Sequence, residues 1–200
     1  MTEDVAGPAP AAVEITDLER PALQRYLASL DAEPYHARQL FAWLYRRGTT
    51  DPAGMTDLSR ALRERLVTAA SITTPVIARR DVSSDGTTKY LLTLGDGRQV
   101  ESVFIPDTPR QTFCLSTQVG CAMKCAFCLT GRMGLVRNLR PGEIVGQVRV
   151  LARDLGLLDA PFNIVLMGMG EPLHNYDHTM AALRIMADAH GFALPARRVT

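Results

Sequence analysis

The chain has no positively charged start followed by an apolar core, and no apolar run in its 200 residues approaches the length needed to span a bilayer. Secretion and membrane insertion are therefore not expected, and a cytoplasmic location is. A strong excess of one charge is also missing: 22 Lys and Arg face 21 Asp and Glu, for a formal net charge of +1. Any nucleic-acid partner would have to be met by local arginine patches rather than by a globally basic surface. Cysteine is scarce, with four in the chain and three of those inside eight positions, a distribution that cannot staple a fold of this size. A reducing compartment, in which free thiolates survive, fits that usage. There is no internal repeat, and no low-complexity tract beyond the Ala- and Pro-rich start MTEDVAGPAPAAVEI. What remains is an ordinary globular composition, 46% hydrophobic, enough to bury a core in one or two domains.

Residues 1–14 read as a flexible arm, because Pro8, Pro10 and the small residues around them offer little to bury. Residues 15–72 carry a helical pattern. Leu23, Leu27 and Leu30 follow Pro21; Leu40, Phe41 and Leu44 run toward Gly48; and Leu58, Leu62 and Leu66 recur at helical spacing after Thr56. Phe41, Trp43 and Tyr45 read as the core of this small domain. Arg46, Arg47, Arg60, Arg63 and Arg65 are either a solvated surface or phosphate contacts. Residues 73–110 change to short β-prone runs broken by the turn signals SSDG at 83–86 and GDG at 95–97, a β-meander expected to link two domains. Residues 111–200 alternate. The pattern predicts a strand from Gln111 to about Ser116, a helix from about Pro141 to Leu155, a buried strand from Phe162 to Met167, a helix from about Asp177 to His190, and a further strand opening at Arg197–Thr200. That is βα repetition with parallel strands, and ligands in such folds sit at the C-terminal ends of strands.

Two motifs occupy those ends. In GCAMKCAFC the spacing is Cys121-x-x-x-Cys125-x-x-Cys128. A four-iron cluster takes one thiolate per iron, so three close cysteines leave one iron open to a ligand. A closed zinc tetrahedron with Cys114 as fourth ligand is the competing use of these residues, although zinc knuckles pair their cysteines two and two. The second motif is Gly168-Met169-Gly170-Glu171-Pro172, where small residues allow close backbone approach and the carboxylate can accept hydrogen bonds from an ammonium. On its own such a loop is equally a tight turn. Glu101 at the head of a strand reads as a solvated end, and Cys114 in a strand as an inert buried thiol. Phe127 reads as an apolar shield over the cysteine loop, and His174 and His178 as surface helix residues.

Taken together, ESVFIP at 101–106, CLSTQVGCAMKCAFCLTGRMGLVRNLRPGEIVGQV at 114–148 and VLMGMGEPLHNY at 165–176 resemble the radical S-adenosylmethionine (radical SAM) RNA methyltransferases that methylate C2 of an adenine in 23S rRNA and in tRNA. The resemblance implies a [4Fe-4S] cluster on Cys121, Cys125 and Cys128, and S-adenosyl-L-methionine contacted by Gly170 and Glu171. It implies a proton-accepting role for Glu101, and for Cys114 a disulfide with a methyl-carrying cysteine after a 5′-deoxyadenosyl radical has activated the methyl group. It further implies an external electron donor, a monomeric enzyme, and a helical accessory domain and β-linker leading into a partial (β/α) barrel. The chain reads as the N-terminal half of such a protein. All four cysteines already have counterparts, so the methyl carrier has none here, and these residues alone are expected neither to complete methyl transfer nor to be well soluble. A sister activity at adenine C8 shares the same motifs.

Overall fold

The structure, a computed structural model, describes residues 12–106 and 110–200. The expected arm lies outside the described residues up to position 11. Its end does not: Val13–Glu14 (β1) pairs in parallel with Ala70–Ser71 (β2).

The accessory helices form where the leucine spacing places them. Arg20–Ala28 (α1) carries Pro21 in its first turn and buries Leu23 and Leu27. His36–Phe41 (α2) continues into a π-helical turn, Ala42–Arg46, which buries Leu44 and Tyr45 in the core. Arg60–Ala69 (α3) is capped by Ser59, whose hydroxyl accepts the Leu62 N–H at 3.2 Å, and buries Leu62 and Leu66. Glu14 ties the start of this layer to its end. Its carboxylate accepts from the Thr16 hydroxyl at 2.6 Å, the Ser71 hydroxyl at 3.0 Å, and both the amide and the hydroxyl of Thr73.

The meander is not a separate linker. Val76–Val82 (β3), Thr88–Thr93 (β4) and Gln99–Ile105 (β5) are antiparallel, and β5 pairs onward with Gln111–Cys114 (β6), which pairs in parallel with Phe162–Val165 (β9). All five strands form one sheet in the order β3-β4-β5-β6-β9. Ile164 and Val199 make a further parallel bridge, where the next strand was expected. The chain between β6 and β9 builds a small hairpin, Gln118–Gly120 (β7) with Leu135–Asn138 (β8), and a short helix, Leu129–Met133 (α4), neither of which the hydrophobic pattern had announced. Pro141–Asp154 (α5) and Tyr176–Ala187 (α6) pack against each other, and their buried residues join the sheet's Val100, Phe113 and Ile164 in the main core.

Helical layer and sheet share that core. Rings run in contact from Phe41 to Tyr45, Phe192, Phe162, Phe113 and Phe104, with centroids 4.9 to 6.0 Å apart. Asp17 reaches across to cap α5, accepting the Gly142 N–H at 2.8 Å and pairing with Arg140 at 2.9 Å. A Cβ on Gly142 would stand 2.2 Å from the Thr16 hydroxyl, so this approach requires glycine. Arg149 of α5, 2% exposed, donates to the Thr73 carbonyl and the Thr74 hydroxyl. Among the described residues no helix is long and apolar enough to cross a membrane.

Burial opposes ionisation of Glu14, but the hydrogen bonds from Thr16 and Thr73 outweigh it and hold the carboxyl below its ordinary value of 4.5. Its contribution is therefore complete above about pH 4.5 and lost as pH falls through the folded value. Glu14→Gln should lower stability at pH 7 by about 1 to 3 kcal/mol, and that difference should shrink as pH falls below about 4.5. Urea unfolding across that pH range measures both.

Candidate functional site

The site lies where β6 leaves the sheet. Ser116, Thr117 and Gln118 are three successive polar residues, all buried, and partners inside the fold meet their polar groups except the Thr117 hydroxyl, which has none among the described residues. Gln147 of α5 supplies the first set. Its amide oxygen accepts from the Ser116 N–H at 2.9 Å and the Ser102 hydroxyl at 2.7 Å, and its amide N–H donates to the Ser116 carbonyl at 2.8 Å. The Ser116 hydroxyl donates to the Glu101 carbonyl at 2.5 Å and accepts the Met169 N–H at 2.8 Å.

Gln118 supplies the second set. Its amide oxygen accepts the Glu171 N–H at 2.9 Å, while its nitrogen donates to Asn138 at 2.8 Å and lies 3.0 Å from His174 Nδ1. Thr117 and Gln118 also donate their backbone N–H groups to the Met169 carbonyl. One buried glutamine thus joins the hairpin whose connection carries the cysteine loop to the Gly-Met-Gly-Glu-Pro loop. The glycines of that loop serve this contact first. Cβ atoms on Gly168 and Gly170 would lie 2.7 Å from Leu115 and 2.6 Å from Gln118, and Gly170 has φ +101°. Glu171 accepts the Leu173 N–H at 3.0 Å and so caps the 3-10 turn at Pro172–Asn175. Sequence reasoning missed Ser116, Gln118 and Gln147, although an unbroken Ser-Thr-Gln run at a strand exit is the available signal.

The cysteine loop begins at Gly120, where a Cβ would stand 1.9 Å from the Gly134 carbonyl oxygen. Cys121 is buried, Cys128 partly so, and Cys125 exposed. Lys124 adopts φ 51°, and Gly131 of α4 packs against the Lys124–Cys125 backbone. The Cys128 N–H donates to the Cys125 carbonyl at 3.0 Å. Hydrogen bonds from Gly131 and then Thr130 to its sulfur lower the Cys128 thiol below its ordinary value, favouring a thiolate. Among the described residues no three His, Cys, Asp or Glu side chains converge as they would around a single ion. A four-iron cluster does not require that convergence, since each thiolate takes its own iron. Three thiols on one loop, with one favoured as thiolate, fit such a cluster better than a closed zinc tetrahedron. Phe127 is 93% exposed.

Glu101 and Cys114 share a face of the sheet. Val103 lies opposite Cys114 in the β5–β6 register and two residues from Glu101, so all three alternate away from buried Val100, Ser102 and Phe113. Lys89 pairs with the Glu101 carboxylate at 3.1 Å, and the Glu101 N–H contacts the Met169 sulfur at 3.4 Å. Burial raises the Cys114 thiol, partly offset by a backbone hydrogen bond from Met167, the opposite direction to Cys128. His178 contacts the Leu139 carbonyl at 3.0 Å.

The accessory arginines are largely occupied within the chain. Arg46 donates to the Gly191 and Ala189 carbonyls, Arg63 to Ala53, and Arg65 to Leu30. Arg47 stacks 4.0 Å over Trp43, and Arg60 makes an exposed pair with Glu64. Phe41 and Tyr45 are fully buried, as expected of core residues.

Residues 13–72 match a family model described as the ribosomal RNA large subunit methyltransferase N-terminal domain. Over 188 residues, 94% of its length, the chain is 48% identical to a dual-specificity RNA methyltransferase RlmN of Geobacter sulfurreducens, of which it covers 51%. A solved radical SAM methyltransferase from Sphaerobacter thermophilus superposes with TM-score 0.86 at 41% identity, over 94% of this chain and 55% of that one. The chain therefore spans about half the length of the relatives it matches.

Gly170→Ala combines a left-handed φ with a clash against Gln118, whereas Gly97, at φ +80°, has nothing within 4 Å of a built Cβ. Gly170→Ala should cost about 3 kcal/mol and Gly97→Ala about 1. Gln118→Gly, which removes the Cβ and Cγ that a Gly170 Cβ would meet at 2.6 and 2.8 Å, should relieve part of the Gly170→Ala penalty, giving a non-additive double-mutant cycle in denaturant unfolding.

Proposed function

We propose, from its similarity to a dual-specificity RNA methyltransferase RlmN and to a solved radical SAM methyltransferase, that this chain provides the cluster-binding part of an RNA methyltransferase acting on C2 of an adenine in 23S rRNA and tRNA. The observation that carries the reading is the Gln118 tie, which joins the hairpin that carries the cysteine loop to the Gly170–Glu171 loop at one strand exit. When bound, a [4Fe-4S] cluster and S-adenosyl-L-methionine would supply the methyl group and the one-electron chemistry that an unactivated aromatic carbon demands.

The chain's own residues then divide the remaining work. Cys121, Cys125 and Cys128 would hold the cluster, with an external electron donor reducing it. Gly170 and Glu171 would meet the methionine end of the cofactor, the backbone of Glu171 being set by Gln118. Glu101 would accept the proton that must leave the substrate carbon. Its main chain is fixed by Ser116 and Met169, and Lys89 orients its carboxylate on the open face of the sheet. Cys114 shares that face. A thiol raised by burial stays protonated and unreactive until a disulfide partner arrives, which suits a resolving role.

Anaerobic reconstitution should give about four irons and four sulfides per chain, with broad absorption near 400 nm that Cys125→Ala loses. The reduced wild type should cleave S-adenosyl-L-methionine to 5′-deoxyadenosine. Stoichiometric zinc without sulfide, and no cleavage, would overturn the reading.

A further inference from the structure

From Thr108 to Gly142 the chain contains no Asp or Glu, yet it carries Arg110, Lys124, Arg132, Arg137 and Arg140. The cysteine loop lies inside this acid-free run. Two of the cations are neutralised by carboxylates from elsewhere: Arg137 pairs with Asp96 and Glu143 at 2.8 Å each, and Arg140 pairs with Asp17 at 2.9 Å. Lys124 and Arg132 are not. Both are exposed, and neither joins an ion pair among the described residues.

These two residues line one open cleft of about 350 Å³ with Cys125, Ala126, Gly131 and Gly134. Their placement is built rather than incidental to a floppy loop. Lys124 is held at φ 51°, and the missing Cβ of Gly131 lets α4 press against the Lys124–Cys125 backbone. Lys124 is moreover one of only two lysines in the chain, and the other, Lys89, is committed to Glu101. Arg46, Arg47, Arg60, Arg63 and Arg65 of the accessory helices, by contrast, are engaged with carbonyls, with Trp43 or with Glu64, while the exposed Arg25 and Arg38 lie on helices that do not border the cysteine loop.

An enzyme that works on a base must bring it out of the stack to the reacting centre, and the phosphates flanking that nucleotide come with it. Cations beside the centre are then needed where no carboxylate competes for them. We infer that Lys124 and Arg132 form a backbone-phosphate clamp at the mouth of the cysteine loop, and that this pair seats the RNA strand next to its target base. The inference rests on the RNA-modifying reading above. Lysine contributes a rotatable point charge and arginine a planar fork suited to two phosphate oxygens. Such contacts position the strand and carry no sequence information.

The test is fluorescence anisotropy of the reconstituted chain with a labelled single-stranded RNA across a KCl series, for wild type and Lys124→Gln/Arg132→Gln. The double variant should bind roughly tenfold more weakly at about 0.1 M salt, and its plot of log affinity against log salt should be shallower by about 1 to 2. The loss should be equal for RNAs of different sequence, and Lys124→Arg/Arg132→Lys should restore most of it. Circular dichroism and iron content matching wild type guard against misfolding. An unchanged slope, a loss confined to one sequence, or competition by an acidic polypeptide with no binding of RNA would overturn the clamp. Iron and sulfide counts are read separately, so failure of the cluster reading and failure of the clamp are distinguishable.

Discussion

The site depends on how a buried polar strand exit is satisfied. Ser116, Thr117 and Gln118 leave the sheet under α5 and α6, away from water, where an unpaired amide or hydroxyl would cost about 1 to 3 kcal/mol. Two glutamine side chains meet most of that demand. Gln147 pairs with Ser116 much as a neighbouring strand would, and Gln118 turns outward from its own strand to hold Glu171, Asn138 and His174. Amides suit this because each offers both donor and acceptor, so one side chain can bridge segments with opposite needs. The glycines at 168 and 170 follow from the same requirement, since the two loops must approach to within backbone contact.

Fixing that exit also fixes what surrounds it. The Ser116 hydroxyl reaches Glu101 on β5 and Met169 in the downstream loop, so a strand assigned at first to a linker becomes part of the site. One face of the sheet is covered by the helices and the aromatic chain from Phe41 to Phe104. The other presents Glu101 and Cys114, residues whose chemistry would be wasted in a core. The two chemically distinct thiols reflect position in the same way. Backbone N–H groups at the start of α4 favour the Cys128 thiolate, and burial on β6 keeps Cys114 a thiol.

Much of this was legible in the sequence where the cause is local. Leucine spacing located α1 and α3, proline at the first turn located α5, and the turn signals at 83–86 and 95–97 delimited the meander strands. The cysteine triplet and the Gly-Met-Gly-Glu-Pro loop were visible as motifs because spacing alone carries them. Long-range pairing was not. Nothing local says that β5 continues into β6, that Val13–Glu14 pairs with Ala70–Ser71, or that Asp17 caps a helix more than a hundred residues later. The carbonyl partners of Arg46, Arg63 and Arg65 were not legible for the same reason, because they lie in other segments. The hairpin and α4 around the cysteine loop are too short for a periodicity to appear.

The central claim is that Gln118 makes the cysteine loop and the Gly170–Glu171 loop one site. Electron paramagnetic resonance of the reduced, reconstituted chain, with and without S-adenosyl-L-methionine, tests it in wild type and in Gln118→Ala. The account predicts that the cofactor shifts the wild-type spectrum, and that Gln118→Ala assembles the same cluster but loses most of that shift. Equal shifts in the two proteins would mean that the loops meet the cofactor independently, and the claim would fail.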